Sequence, residues 1–137
     1  MEVGLRFRTD RDGYLTGLYF WRNPANTGPQ VAHLWSADGD LRAEATLTGS
    51  TASYPQITFT PPVPVQAGAG YVVSYYTPTG HYASSIGYFA GAIVRAPFEA
   101  IYDTSGTAGV YRYGGGFPDQ TWEASNYWIS PTFTITP

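Results

Sequence analysis

The sequence predicts an all-β domain, an antiparallel β-sandwich of jelly-roll or Ig-like type. Three observations predict it. Apolar residues recur with period two rather than 3.6, short strand-like runs succeed one another, and turn signatures separate them. In chain order, Val3, Leu5 and Phe7 alternate with Glu2, Gly4, Arg6 and Arg8, the pattern of a half-buried strand. Residues 14–21 (YLTGLYFW) and 71–76 (YVVSYY) are apolar on both faces, which marks central strands. AHLW (32–35) and VYRY (110–113) add short strands. Leu41, Ala43, Ala45 and Leu47 alternate with polar residues, as do Ile57 with Phe59, and Phe133 with Ile135. Leu5, Phe7, Phe20, Leu47, Phe59, Val73 and Phe133 are therefore expected to be buried on facing sheets.

Turn chemistry fills the intervals. TDRDG, NPANTGP, SADGD, PPVPVQAGAG and TPTG combine Gly or Pro with small polar residues. SADGD reads as a tight hairpin joining strand 31–36 to strand 41–48. RAPFEAIY (95–102) is the one segment suited to a helical turn. Tyr127 and Trp128 are expected to begin the final strand. Residues 1–137 form one module with no internal repeat or linker, and Met1 directly before a strand suggests excision from a longer chain. Residue count permits a core without metals or staples.

Composition excludes several function classes. Charged residues are only 12% but aromatics reach 17%, which rules against disorder. Net charge is -3, and the seven basic residues are scattered arginines, so no nucleic-acid stripe exists. Cysteine is absent, which removes disulfides, zinc–thiolate sites and a thiol nucleophile together. No apolar run approaches a membrane span. His33 and His81 lack carboxylates at metal-ligand spacing; His33 reads as a partly buried strand residue making one hydrogen bond, and His81 as an accessible turn residue. Ser84 or Ser125 offers a nucleophile without a nucleophile-elbow pattern. A glycosidase needs two carboxylates about 5–9 Å apart across one cleft, whereas Asp10, Asp12, Asp38, Asp40, Asp103 and Asp119 sit in turn signatures and read as turn caps. Asp10 and Asp12 before Gly13 hint at a structural calcium, but the full loop pattern is missing and no metal or other cofactor is expected. Catalysis is not expected.

The chemistry that remains is aromatic. GHYASSIGYFAG (80–91) and GVYRYGGGFPDQTWEASNYW (109–128) interleave aromatics with Gly, Pro, Asp and Ser. Loops run over the surface because their backbone polar groups need partners, so some of these rings should lie near solvent. A pyranose offers an apolar C–H face for stacking and an edge of hydroxyls for hydrogen bonding. Rigid Tyr and Trp beside polar side chains meet both needs at low entropy cost. The expected ligand-binding residues are Trp122 and Tyr113 as platforms, Tyr82 and Tyr88 as flanking contacts, and His81, Asp119 and Asn126 as hydrogen-bonding groups. The competing reading is a cluster that only pins two loops onto the sandwich edge.

The series NTG (26–28), HLWSADGDL (33–41), QITFTPPVPV (56–65), YVVSYY (71–76), GHYA (80–83), GVYRYGGGFP (109–118) and SNYWI (125–129) resembles the bacterial domain-of-unknown-function family numbered four-zero-eight-two. The resemblance spans nearly the whole chain. It implies a β-sandwich module of large secreted actinobacterial and other bacterial proteins, beside Ig-like, PKD-type and polysaccharide-degrading modules. It brings no ligand and no set of functional residues. The expectation is a secreted, non-catalytic carbohydrate-binding accessory module whose partners are a glycan or polysaccharide and the neighbouring modules of its parent chain. The alternative is an Ig-like structural spacer or adhesion module without a small ligand.

Overall fold

The computed structural model describes residues 1–104 and 106–137. Among them run ten strands: β1 (Glu2–Thr9), β2 (Gly13–Phe20), β3 (Gln30–Ser36), β4 (Leu41–Leu47), β5 (Gln56–Val65), β6 (Tyr71–Tyr76), β7 (Ile93–Arg95), β8 (Phe98–Ala100), β9 (Gly109–Arg112) and β10 (Ile129–Thr134). They form two antiparallel sheets. The larger has the order β4-β3-β6-β1-β8-β7, and the smaller the order β10-β2-β5. The second edge of β1 is shared: Glu2–Leu5 pairs with β9, and Phe7–Thr9 pairs with β8. Among the described residues, no helix is long and apolar enough to cross a membrane.

The two doubly apolar runs do occupy central positions, β6 in the large sheet and β2 in the small one. The SADGD hairpin joins β3 to β4 as expected. Val3, Leu5, Phe7, Leu34, Val73 and Tyr75 of the large sheet share one buried core with Leu15, Leu18, Phe20, Ile57 and Phe59 of the small one. Phe20 stacks on Tyr75 with ring centroids 4.1 Å apart. Leu47 and Phe133 are only half-buried, since they lie on outermost strands of their sheets.

Several boundaries differ from expectation. The 95–102 segment holds no helical turn; it is the β7–β8 hairpin. Ala96 precedes Pro97, which disfavours helical backbone there, while Phe98 packs edge-on against Phe7. The strand at 56–60 continues through three prolines to Val65. That is tolerated because β5 is an edge strand, where a missing N–H breaks no ladder. β10 starts at Ile129, after Trp128 turns the chain with φ of 57°, and Ile135 beyond its end is exposed.

The outer face of the large sheet also departs from simple alternation, because Glu2 and Gly4 are buried as fully as Val3. The Glu2 carboxylate lies against Ser74 and His33, while a strap formed by residues 111–120 covers Gly4. Tyr111 and Gln120 close it by donating backbone N–H bonds to each other's carbonyls, at 2.8 and 3.1 Å. Gly114, Gly115 and Gly116 all take left-handed φ, from 79° to 98°, which side chains with a Cβ rarely adopt. This reversal lays Phe117 into a second small core with Trp35, Val72 and Val110. Pro118 then sits so near Gly4 that a Cβ there would lie 3.3 Å from its ring.

Beside that core runs a polar chain. Trp35 Nε1 donates to Ser74 Oγ (2.9 Å), and Ser74 donates to Glu2 Oε2 (2.6 Å). His33 lies between two carboxylates, with Nδ1 2.7 Å from Glu2 and Nε2 3.0 Å from Glu44. The single hydrogen bond expected of His33 is thus two; Glu44 faces it directly across the β3–β4 register. Burial disfavours the charged ring, but the bonds and charges of Glu2 and Glu44 outweigh it and raise the pKa above 6.5. The sign follows: this contribution is full below the unfolded pKa and is lost as pH rises through the folded one. The α-amino group of Met1 shifts the opposite way, chiefly through burial, so the comparison should be between variants. Across pH 5.5–8.5 (roughly the histidine range), wild type minus His33→Gln stability in urea melts should fall with rising pH. A difference that is flat or rises would contradict the assignment.

Candidate functional site

The two glycine- and aromatic-rich segments meet at one edge of the sandwich. Ser85 and Asn126 exchange backbone bonds of 2.9 Å, Gly87 N–H donates to Glu123 O (2.8 Å), and Phe89 N–H donates to Ala124 O (2.9 Å). Between them Trp122 opens a tight turn, in which Ser125 donates from both N–H and Oγ to the Trp122 carbonyl (3.0 and 2.7 Å). Glu123 and Ala124 hold left-handed φ of 48° and 51° within it. Such backbone persists only where its surroundings over-determine it, and the bonds from Gly87 and Phe89 supply that.

Here Tyr82, Tyr113 and Trp122 line one pocket of about 200 Å³, together with Tyr111, Tyr127 and Met1. Trp122 is 58% and Tyr113 72% exposed. Tyr82 and Tyr127 meet edge to face at 5.4 Å, and Tyr111 and Tyr113 do the same at 5.6 Å. The floor is thus held by ring packing while the two outer rings keep faces open. Burial, then the neighbouring phenols Tyr113 and Tyr111, raises the Tyr82 pKa. Burial and the same neighbourhood push Tyr127 to about 12. Both hydroxyls stay protonated at neutral pH, so each can donate and accept.

The other four expected residues lie elsewhere. Tyr88 and Asn126 line a more apolar opening of about 200 Å³ with Leu5, Phe98, Trp128 and Pro131. Asn126 is buried, and its Oδ1 accepts from Trp128 N–H at 2.6 Å. Tyr88 stands edge-on to Trp128 at 5.0 Å. Asp119 faces a third concavity on the outer face of the large sheet. His81 is exposed on the adjoining turn, where its carbonyl accepts from Thr77 Oγ1 at 3.0 Å, and it does not line the pocket.

Tyr111 and Tyr127 were not among the expected contacts. The spacing of Tyr111 and Tyr113 carried a usable signal, since residues two apart on a strand share a face. A second exposed aromatic group was also unforeseen. Tyr54 stacks on Tyr19 at 5.1 Å and contacts Trp21 at 4.9 Å. It joins them through the 48–55 loop, which Arg22 ties down through Ala52 O and Ser53 O.

Two of the turn aspartates reach beyond their own turns. Asp12 Oδ1 accepts from Ala67 N–H at 2.8 Å, and Asp103 pairs with Arg6 at 2.8 Å. Among the described residues, no three His, Asp or Glu side chains are grouped to hold a metal ion. Ser74 bonds Glu2 rather than His33.

A family model described as domain of unknown function (DUF4082) matches residues 1–129. No curated protein matches the chain.

Proposed function

The chain belongs to the DUF4082 family, and on that footing we propose that it is a non-catalytic carbohydrate-binding module, secreted as an accessory to a polysaccharide-acting protein. The observation that carries this reading is the pocket of Tyr82, Tyr113 and Trp122, in which the rings of Tyr113 and Trp122 are exposed. A sugar ring stacks its C–H face on such a surface, and protonated phenols exchange hydrogen bonds with its hydroxyls. A non-catalytic role is supported by the polar chain at Glu2, where the serine and histidine each bond the carboxylate and not each other. A nucleophile needs its base within hydrogen-bond reach.

The structural-spacer alternative draws on the edge-to-face pair Tyr82–Tyr127, which joins the two segments whether or not a ligand binds. Affinity electrophoresis through gels containing soluble glucans, xylans, mannans and pectins separates the two. The carbohydrate-binding reading expects retardation by at least one polysaccharide, relieved by oligosaccharides of the same type. Unretarded migration in every gel would leave the spacer.

A further inference from the structure

The large sheet reaches farther than the small one. β5 packs against β4, and β10 against β6, so β8 and β7 at the far end of the large sheet have no strand opposite them. Tyr88, Phe89 and Trp128 close that end incompletely. A slot of about 200 Å³ opens between the free edge of β10 and the β7–β8 hairpin.

The slot reaches the core. Leu5, Phe7, Phe89, Ala100 and Ile129 line it, each no more than 9% exposed. Its rings stand edge-on to one another: Phe7 and Phe98 at 5.8 Å, Tyr88 and Phe89 at 5.2 Å, Tyr88 and Trp128 at 5.0 Å. An apolar cavity of about 150 Å³ takes up a benzene ring, so there is room here for one six-membered ring. An aromatic ring gains edge-to-face contacts with these walls that an aliphatic group does not.

Two polar groups set the character of the ligand. Asn126 is 7% exposed and lines the slot. Its Oδ1 accepts from Trp128 N–H, but Nδ2 has no hydrogen-bond partner among the described residues. An unmet donor at that depth favours an oxygen over an apolar group. Arg95 pairs with Phe98 in the hairpin register and lines the slot with it. Its guanidinium donates to Val94 O (2.9 Å) and has no ion pair with another described residue. No described residue that lines the slot is acidic.

We propose that the slot binds a small aromatic carboxylate. The ring enters between the sheets, the carboxylate pairs with Arg95, and Asn126 Nδ2 donates to an oxygen of the ligand. Guanidinium is the side-chain group best matched to a carboxylate, through two parallel N–H donors. The slot shares no lining residue with the pocket of Tyr82, Tyr113 and Trp122, and the proposal does not depend on the carbohydrate-binding reading.

NMR titration of isotope-labelled protein with benzoate, para-hydroxybenzoate, benzyl alcohol and acetate tests this on wild type, Arg95→Gln and Ala100→Leu. Both aromatic acids should give saturable, millimolar or tighter shifts at Ala100, Trp128, Ile129 and the Asn126 side-chain amide. Benzyl alcohol and acetate should bind at least about fivefold more weakly, and Arg95→Gln should weaken the acids by a similar factor. Ala100→Leu, which fills the slot, should abolish the shifts without lowering the melting temperature. Arg95 is exposed, so Arg95→Gln decides the matter even where Ala100→Leu lowers stability. Benzyl alcohol bound as tightly as benzoate, or affinity unchanged in Arg95→Gln, would overturn the acid specificity. Acetate matching benzoate would overturn the ring slot. No saturable shift with either aromatic acid would overturn the site.

Discussion

Truncating Phe59 to alanine is expected to lower the unfolding free energy by about 3–5 kcal/mol, the range for a buried aromatic replaced by a methyl group. Phe59 is 1% exposed and belongs to the core shared by the two sheets. It sits on β5, which has a partner strand on one side only. The side chains of Ile57, Phe59 and Val65 therefore supply much of what holds β5 in place, and the loss should not be buffered by the backbone. Urea unfolding of the variant at neutral pH measures it. A change below about 1 kcal/mol would mean that the ring leaves little apolar area behind, and would contradict the inward register of β5.

That register was legible in the sequence because period-two alternation reports directly on which face is buried. The same rule identified the inner faces of β1 and β4. It failed on the outer face of β1. There Gly4 is covered by the strap that the Gly114–Gly116 reversal forms, a contact between segments more than a hundred residues apart, and the Glu2 carboxylate is taken up by Ser74 and His33. Local periodicity carries no information about such coverage. The β7–β8 hairpin was missed for a similar reason: strands of three residues are too short for alternation to register. They exist because Phe7 and Thr9 offer a free edge and Phe98 fills the core beside it.

The site was legible in part. Composition alone indicated that rings embedded among glycines would lie near the surface, and Trp122 and Tyr113 do. Which polar residues stand beside them was not legible, because that depends on which way each side of the strap faces. Asp119 is three residues from Trp122, yet it faces the cleft on the sheet rather than the aromatic pocket. Asn126 is spent on the turn at Trp128, a common local use of asparagine side chains. Tyr88 was drawn to Trp128 by an aromatic contact that no spacing rule anticipates.

Trp122 distinguishes a binding surface from a staple. Its ring is 58% exposed and lies beyond the packed pairs Tyr82–Tyr127 and Tyr111–Tyr113. The turn that carries it is held by backbone bonds and by Ser125, which alanine at 122 would preserve. Removing the indole should therefore subtract stacking without loosening the edge. On the scale known for bases stacked on aromatic side chains, that is about 1–3 kcal/mol of binding free energy. The most direct measurement is paired: affinity for the polysaccharide that retards the wild type, and melting temperature, for wild type and Trp122→Ala on the same preparations. A weakening of about tenfold or more with a melting temperature within about 2 °C of wild type is the predicted result. A melting temperature lower by several degrees, with affinity unchanged, would contradict the site and leave the aromatic cluster as a staple.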